Sequence, residues 1–332
     1  MSWLWLRKNY KTSNAKGFVK RKDIGDIVFK RAMMGFSLII VLLLGLMLYQ
    51  LISSSSISIQ KFGLSFFWTR TWDPVFEKFG ALPFIYGTLV TSFVALLLAV
   101  PVGLGCAIFL AEYAPLRIRK WVSLFVDLLA AIPSVVYGLW AIFELVPLMR
   151  THVQPFLGKF FGFLPFFQGP NYGLGILSAS VVLAIMIVPF IISISREVIL
   201  AVPSVYKEAS YALGSTRWEA ISSVVLSYGK TGILGGVILA LGRAIGETMA
   251  VTMIIGNNVT ISPSLFSPGY TLASVIANEF TEATGNLYLS ALIEIGLVLF
   301  IVSIIVNLIA RFLIWSVSQN RSNSKILRPQ AI

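Results

Sequence analysis

The chain has 332 residues, 57% of them hydrophobic and only 12% charged, with a formal net charge of +12. Soluble domains carry about 25% charged residues, and here the apolar residues come in long runs, so a water-soluble globular protein is excluded in favour of a polytopic membrane protein. One cysteine, Cys106, and one histidine, His152, exclude an internal disulfide and leave no basis for a His/Cys metal site or, without a G-x-S-x-G elbow, a hydrolase triad.

Residues 1–31 form a basic tail with Arg7, Lys8, Lys11, Lys16, Lys20, Arg21, Lys22, Lys30 and Arg31, directly before the first apolar run. That placement is a positive-inside topology signal rather than a nucleic-acid footprint. The first run, 32–52, is long enough to span, and "LISSSSIS" behind it is a poor cleavage site, so it reads as an uncleaved first helix.

Further runs long enough for ~30 Å of hydrocarbon fall at 84–111, 121–148, 174–195, 231–257 and 288–315. The fold class expected is therefore all-α with six transmembrane helices. Segment 32–83 is read as the first helix with its outer loop, and 84–315 as a core of five helices. Within the core, 197–230 is a cytoplasmic loop, and 316–332 is a cytoplasmic tail. Outer loops over 53–83, 149–173 and 258–287 are too short for a separate domain.

The connections fix the orientation. Arg117, Arg119, Lys120, Arg196, Lys207, Arg217, Lys230, Arg311, Arg321, Lys325 and Arg328 join the nine tail cations on one side. Lys61, Arg70, Lys78, Arg150 and Lys159 fall on the other, so twenty cations oppose five and both termini are expected in the cytoplasm.

Within the spans, Pro101, Pro133 and Pro189 each remove a backbone donor and can kink a helix. Thr88, Thr91 and Ser92 in the second run, and Ser134 and Tyr137 beside Pro133, are weaker candidates for lining a pathway. Such hydroxyls more often bond a carbonyl of their own helix. Asp127, Glu144 and Glu294 lie in or near spans with no role assigned. Trp68, Trp72, Trp121 and Trp315 stand near run ends, where an interfacial belt is expected.

The connection after the fourth run is not merely polar. Pro203 and Ser204 can start a helix, with Ser204 as its cap, and "KEASYALGS" continues it to a stop at Gly214. A second amphipathic piece, "TRWEAISSVVL", leads into the fifth run. The "GKT" at Gly229–Thr231 is no P-loop, because Val224 stands where its first glycine belongs and no strand precedes it.

The fifth run carries Arg243 and Glu247, four residues apart and so expected on one helix face. Each charge costs about 2.5–3.5 kcal/mol at the bilayer centre, so both should face protein or water. Gly232, Gly236 and Ala240 make one stripe of small residues and Gly242, Gly246 and Ala250 another, both suited to close helix contacts. Either the two charges neutralise one another and fix packing, or Arg243 meets a passing anion while Glu247 holds it. A guanidinium suits the second role because its planar donors match an oxyanion and it keeps its charge.

The segment "EASYALG", with Glu208, Ala209, Ser210, Tyr211, Ala212, Leu213 and Gly214, resembles the EAA loop of binding-protein-dependent ABC importer permeases. It departs from that pattern at Ser227, where a Leu-Pro pair would place proline after Leu226. "YGTLVTSFVALLLAVPVG", "LLAAIPSVVYGLW", "GGVILALGRAIGETMAVTMIIGN" and "IANEFTEA" narrow the resemblance, over about 58–315, to permeases of phosphate-specific importers. It implies the type I ABC importer permease fold and a multi-pass protein of the bacterial inner membrane, not an enzyme. The implied partners are a homologous permease (PstA-like), a cytoplasmic ATPase dimer (PstB-like) docked on Glu208–Gly214, and an extracytoplasmic phosphate-binding protein (PstS-like). No cofactor would be bound by this chain, ATP-Mg belonging to the ATPase. Alternatives are an importer of the same class for sulfate or molybdate, or an ion-driven transporter or channel.

Overall fold

In the computed structural model, which describes residues 24–319, proline, glycine and charge decide where each apolar run begins and breaks. The chain falls into two units divided between Gln50 and Leu51. The first is occupied by helix α1, Ile24–Ser54, whose last turn belongs to the second unit. At 31 residues, α1 is about 46 Å long and more than spans a hydrocarbon core.

In the second unit, α2 (Ser56–Phe62) ends at Gly63, whose φ of +54° suits only glycine. Helix α3 (Leu82–Tyr113) starts with Pro83 in its first turn, where no donor is lost. It ends in a π-helical turn over Phe109–Tyr113, and Cys106 is exposed near that end.

Helix α4 (Leu116–Ala131) then meets α5 (Ser134–Phe161) at an angle of 91°. The corner follows from Pro133, which disfavours helical backbone at the residue before it. Ile132 accordingly has ψ 130° and is extended. The expected third span, 121–148, is therefore two helices and not one.

Helix α6 (Ile176–Leu200) is followed by the short α7 (Ser204–Ala212) and the long α8 (Arg217–Ile245). The amphipathic piece at Thr216 is thus the beginning of α8 itself, opened by a capping box between Thr216 and Glu219. Gly229–Thr231 lies inside α8, which disposes of a P-loop. The expected fifth span, 231–257, does not run through either. Helix α8 stops at Ile245, and a separate helix α9 (Met249–Ile254) follows. After an irregular segment come α10 (Leu272–Glu279) and α11 (Asn286–Gln319). Among the described residues, five helices are long and apolar enough to cross a bilayer, or six if the bent α4–α5 pair forms one span.

Lipid removes the solvent contrast that drives soluble cores, so close packing must join these helices. Helix α6 is the most enclosed: Ala179, Val182, Leu183, Ile187 and Ile191 are buried against Ala95 and Ala99 of α3. A Cβ on Gly103 of α3 would meet Ile191 Cγ2 at 2.8 Å, which shows how near the backbones come. The stripe Gly232–Gly236 of α8 packs as expected, since added Cβ atoms would meet Val198 at 2.8 Å and Ile194 at 2.7 Å. Of the second stripe, Ala250 is buried, but a Cβ on Gly242 would meet nothing within 4 Å, and on Gly246 only the Gly242 carbonyl.

An aromatic cluster at the opposite end from α7 joins the 63–81 segment to α10 and α11. Trp72 meets Phe79 and Phe84 edge-on at 4.8 and 5.0 Å, and Tyr288 stacks on Phe79 at 5.4 Å. Glu279 accepts hydrogen bonds from Trp72 Nε1 and the Tyr288 hydroxyl, both 2.7 Å. Trp72 is buried here rather than standing in an interfacial belt, whereas Trp68 and Trp121 are exposed.

Candidate functional site

Two interruptions of helix meet inside the second unit. One is the α4–α5 corner, and the other is the Gly246–Thr248 gap between α8 and α9. Gly138, in the first turns of α5, brings them together, because a Cβ there would meet Met253 Sδ at 2.5 Å and Ala250 Cα at 3.1 Å on α9. Broken helices inside a membrane are stable only where protein or a water-lined cavity receives the freed backbone groups, and such gaps recur at transport sites.

Arg243 stands in the last turn of α8, where a cation suits the carbonyl end of the helix dipole. Its side chain is exposed, and its guanidinium carbon lies 5.6 Å from the centre of the Phe190 ring on α6. The Tyr137 phenol is within its electrostatic reach. Glu247 lies in the gap itself, half-buried, with Oε1 accepting the Ala250 amide at 3.4 Å. The helix ends between the two charges, so the shared face expected from their spacing does not exist. Among the described residues the ion pairs are Lys61–Glu77, Arg196–Glu197 and Lys207–Glu112, and Arg243–Glu247 is not one of them. A direct salt bridge between them therefore does not account for the charges. A cation and an anion thus flank the gap, each with unspent bonding capacity.

The weaker candidates divide. Thr88 donates to the Phe84 carbonyl at 2.7 Å and accepts the Leu272 amide at 2.9 Å, so it supports the start of α10. Thr91 donates to the Gly87 carbonyl at 2.7 Å. Ser92 is buried with its hydroxyl unpartnered and borders a cavity of about 730 Å³ walled by apolar side chains, among them Phe93, Leu97, Leu241 and Ile245. Leu241 and Ile245 are each two residues from Arg243, so the cavity and the guanidinium occupy opposite sides of α8. None of these three groups joins Arg243. The Tyr137 hydroxyl donates to the Leu129 carbonyl at 2.9 Å and so bridges the α4–α5 corner. Ser134 is the half-buried first residue of α5.

Three carboxylates remained without a role. Asp127 accepts from the Ser193 hydroxyl at 3.4 Å, and Glu144 is exposed. Glu294 is only 3% exposed, with Oε2 unpartnered.

At the far end of the bundle, Pro203 and not Ser204 is the residue before the first turn of α7, and Ser204 makes no capping bond. Proline's fixed φ starts the helix without one. The helix closes on Leu213 and Gly214, whose φ of +87° is the left-handed C-terminal stop that glycine provides. Val205, Tyr206, Tyr211 and Leu213 are exposed, Leu213 at 89%, and Glu208 and Ala209 are exposed beside them. Ser210 points inward, its hydroxyl donating to Ser215 at 2.9 Å. The helix thus leaves an exposed apolar surface, of the kind that marks interaction sites in general.

The sequence of the family called binding-protein-dependent transport system inner membrane component matches residues 99–318. The chain is 46% identical to the phosphate transport system permease protein PstC of Mesorhizobium japonicum, covering 91% of this chain and 94% of that one. To the protein of the same name from Pasteurella multocida it is 48% identical, covering 89% and 93%. To a probable PstC of Methanocaldococcus jannaschii it is 38% identical, over 90% and 95%. Among solved structures, a chain of a bacterial ABC transporter involved in the import of the acidic polysaccharide alginate superposes with TM-score 0.56 at 17% identity, covering 86% of this chain and 97% of that one. That likeness concerns the fold, which is the type I ABC importer permease fold expected from the sequence.

Proposed function

This chain belongs to the family of binding-protein-dependent transport system inner membrane components, and from that membership we propose that it is the permease subunit of an ATP-driven importer of inorganic phosphate. It is an integral, multi-pass transport subunit and not an enzyme. Relatives that share nearly half its residues along almost its whole length are named as phosphate permeases. The chemistry of the gap agrees with a cargo of that kind.

The observation that carries the reading is the unpaired state of Arg243 at a helix gap. A guanidinium offers two parallel donors to a phosphate oxygen pair, in a setting where low dielectric strengthens the contact. Glu247 keeps that attraction from becoming a trap, since conduction requires a site the ion can leave. It is also an acceptor for a proton-bearing phosphate oxygen. Tyr137 and Phe190 shape the wall around the guanidinium.

In this reading a second, homologous permease (PstA-like) closes the pathway against the side of α8 that bears Gly242, where the described residues supply no packing partner. An ATPase dimer (PstB-like) receives Glu208–Gly214, and a phosphate-binding protein (PstS-like) delivers cargo from outside. ATP-Mg is held by the ATPase, and no cofactor by this chain. The excess of Lys and Arg on the α7 side supports a cytoplasmic location for that side and for both termini, in a bacterial inner membrane.

Arg243→Gln and Glu247→Gln are each expected to abolish phosphate accumulation while the protein still reaches the membrane. Normal accumulation in either variant overturns the role given to the pair.

A further inference from the structure

The inner end of α3 is gripped by cations from three other elements. Its terminal π-helical turn, Phe109–Tyr113, carries Glu112, whose carboxylate is only 8% exposed. Lys207 of α7 reaches that carboxylate at 2.6 Å. Arg217, the first residue of α8, donates to the Glu112 carbonyl and lies over the Tyr113 ring, 4.5 Å from its centre. Arg119 of α4 donates to the Ala111 carbonyl at 2.6 Å. Cations at the carbonyl end of a helix are favoured by its dipole. The Glu112–Lys207 contact differs from the other two because it joins two charged side chains with little access to water. The other described ion pairs, Lys61–Glu77 and Arg196–Glu197, each include a carboxylate more than half exposed.

Most of α7 is bare. Besides the Lys207 contact, it meets the start of α8, by packing against Ala220–Val225, by the turn bond from Ser210 to Ser215 and by the Tyr206 ring, 5.4 Å from Tyr228. A displacement of α7 thus has two outlets, α8 and α3. Along α8 it travels about 39 Å from Arg217 to Arg243 in one helix. Along α3 it reaches Gly103, which touches Ile191, the neighbour of Phe190 beneath the same guanidinium. Both routes lead to the surroundings of Arg243.

We propose that Glu112 and Lys207 form a strut that transmits movement of α7 to α3, making them positioning residues for transport that never touch the cargo. The proposal rests on the reading of α7 as the ATPase-docking helix. A strut must resist both approach and separation, and a short, shielded ion pair does so better than apolar contact, which slides. Glu112 in the π-helical turn is also suitably placed, because that turn is the last piece of α3 before the chain turns away at Pro115.

The test uses the complete importer reconstituted in liposomes, with Glu112→Gln, Glu112→Lys, Lys207→Glu, and the exchange Glu112→Lys/Lys207→Glu. Three quantities are measured: ATPase retained on purification, ATP hydrolysed, and phosphate taken up. The expected result for Glu112→Gln is ATPase retained and hydrolysis within about twofold, with uptake reduced about tenfold, so that ATP spent per phosphate rises. The charge exchange restores that ratio to within about threefold of the starting protein, the coupling that a double-mutant cycle isolates. If Glu112→Gln keeps the original ratio, or the exchange at normal membrane level leaves uptake where the single variants put it, the strut is refuted. Should the unmodified permease fail to retain the ATPase, the docking reading itself falls, which is a different outcome from loss of the strut.

Discussion

Gly236 and Gly242 stand on one helix, both in small-residue stripes, yet α8 presents them to different surroundings. Replacing either by alanine removes backbone freedom and raises helix propensity by about 1 kcal/mol. At Gly242 nothing opposes this, since the new methyl group has no atom within 4 Å in this chain. At Gly236 it would lie 2.7 Å from Ile194 Cγ2 and 3.2 Å from its Cβ. Restoring ordinary carbon contacts near 3.7 Å requires a separation of about 1 Å. Ile194 is β-branched and cannot rotate freely in a helix, so α6 and α8 must move apart. Overpacking of this kind costs about 1–3 kcal/mol, which outweighs the propensity gain. The two substitutions should therefore differ by about 1–3 kcal/mol, with Gly242→Ala the more stable. Thermal unfolding of the purified subunit in mild detergent measures this, on the order of 2 °C per kcal/mol. Equal shifts for both variants would refute the packing argument for α6 against α8.

Other consequences follow from the loops. The capping box at Thr216 holds the exposed Glu219 carboxyl below the usual carboxylate range, chiefly through the Thr216 amide and then its hydroxyl. A carboxyl depressed in the folded state stabilises above its unfolded pKa and loses that contribution as pH falls through the folded value. Amide protection at the start of α8 should accordingly fall in acid below the ordinary glutamate range, and Thr216→Ala, which removes the hydroxyl but keeps the amide, should weaken that pH dependence without abolishing it. Gly214→Ala forces a left-handed backbone on a residue with a Cβ, costing about 1–2 kcal/mol, and co-purification of the ATPase should fall with it. Trp72→Phe removes a donor to a charged acceptor, worth about 1.5–3 kcal/mol, and should expose the 63–81 segment to added protease.

Much of the fold was legible in the sequence because bilayer thickness imposes a length on each span. Runs such as 174–195 had to be helices, and the structure gives Ile176–Leu200. The corner at Pro133 was half visible: proline announced a disturbance, but its size depends on where Gly138 packs against Ala250 and Met253. The gap after Ile245 was hidden, since Gly246 in "AIGETMA" is equally compatible with a stripe of small residues inside one continuous helix. That gap separates Arg243 from Glu247, and four-residue spacing alone could not reveal it. The positions of Thr88 and Thr91 were anticipated by the tendency of hydroxyls to bond their own helix. Glu112 escaped notice entirely, because its partner Lys207 is 95 positions away and neither residue belongs to a local pattern.

The lone thiol of Cys106 acquires a practical meaning from its place on α3. It is exposed and has no rival in the chain, and it precedes Glu112 by six positions, about 9 Å along the helix axis. A fluorophore or spin probe attached there needs no prior removal of other cysteines from this subunit. Such a reporter would ride on the same tip that Lys207 holds, turning a native atom into a gauge of when that tip shifts during turnover.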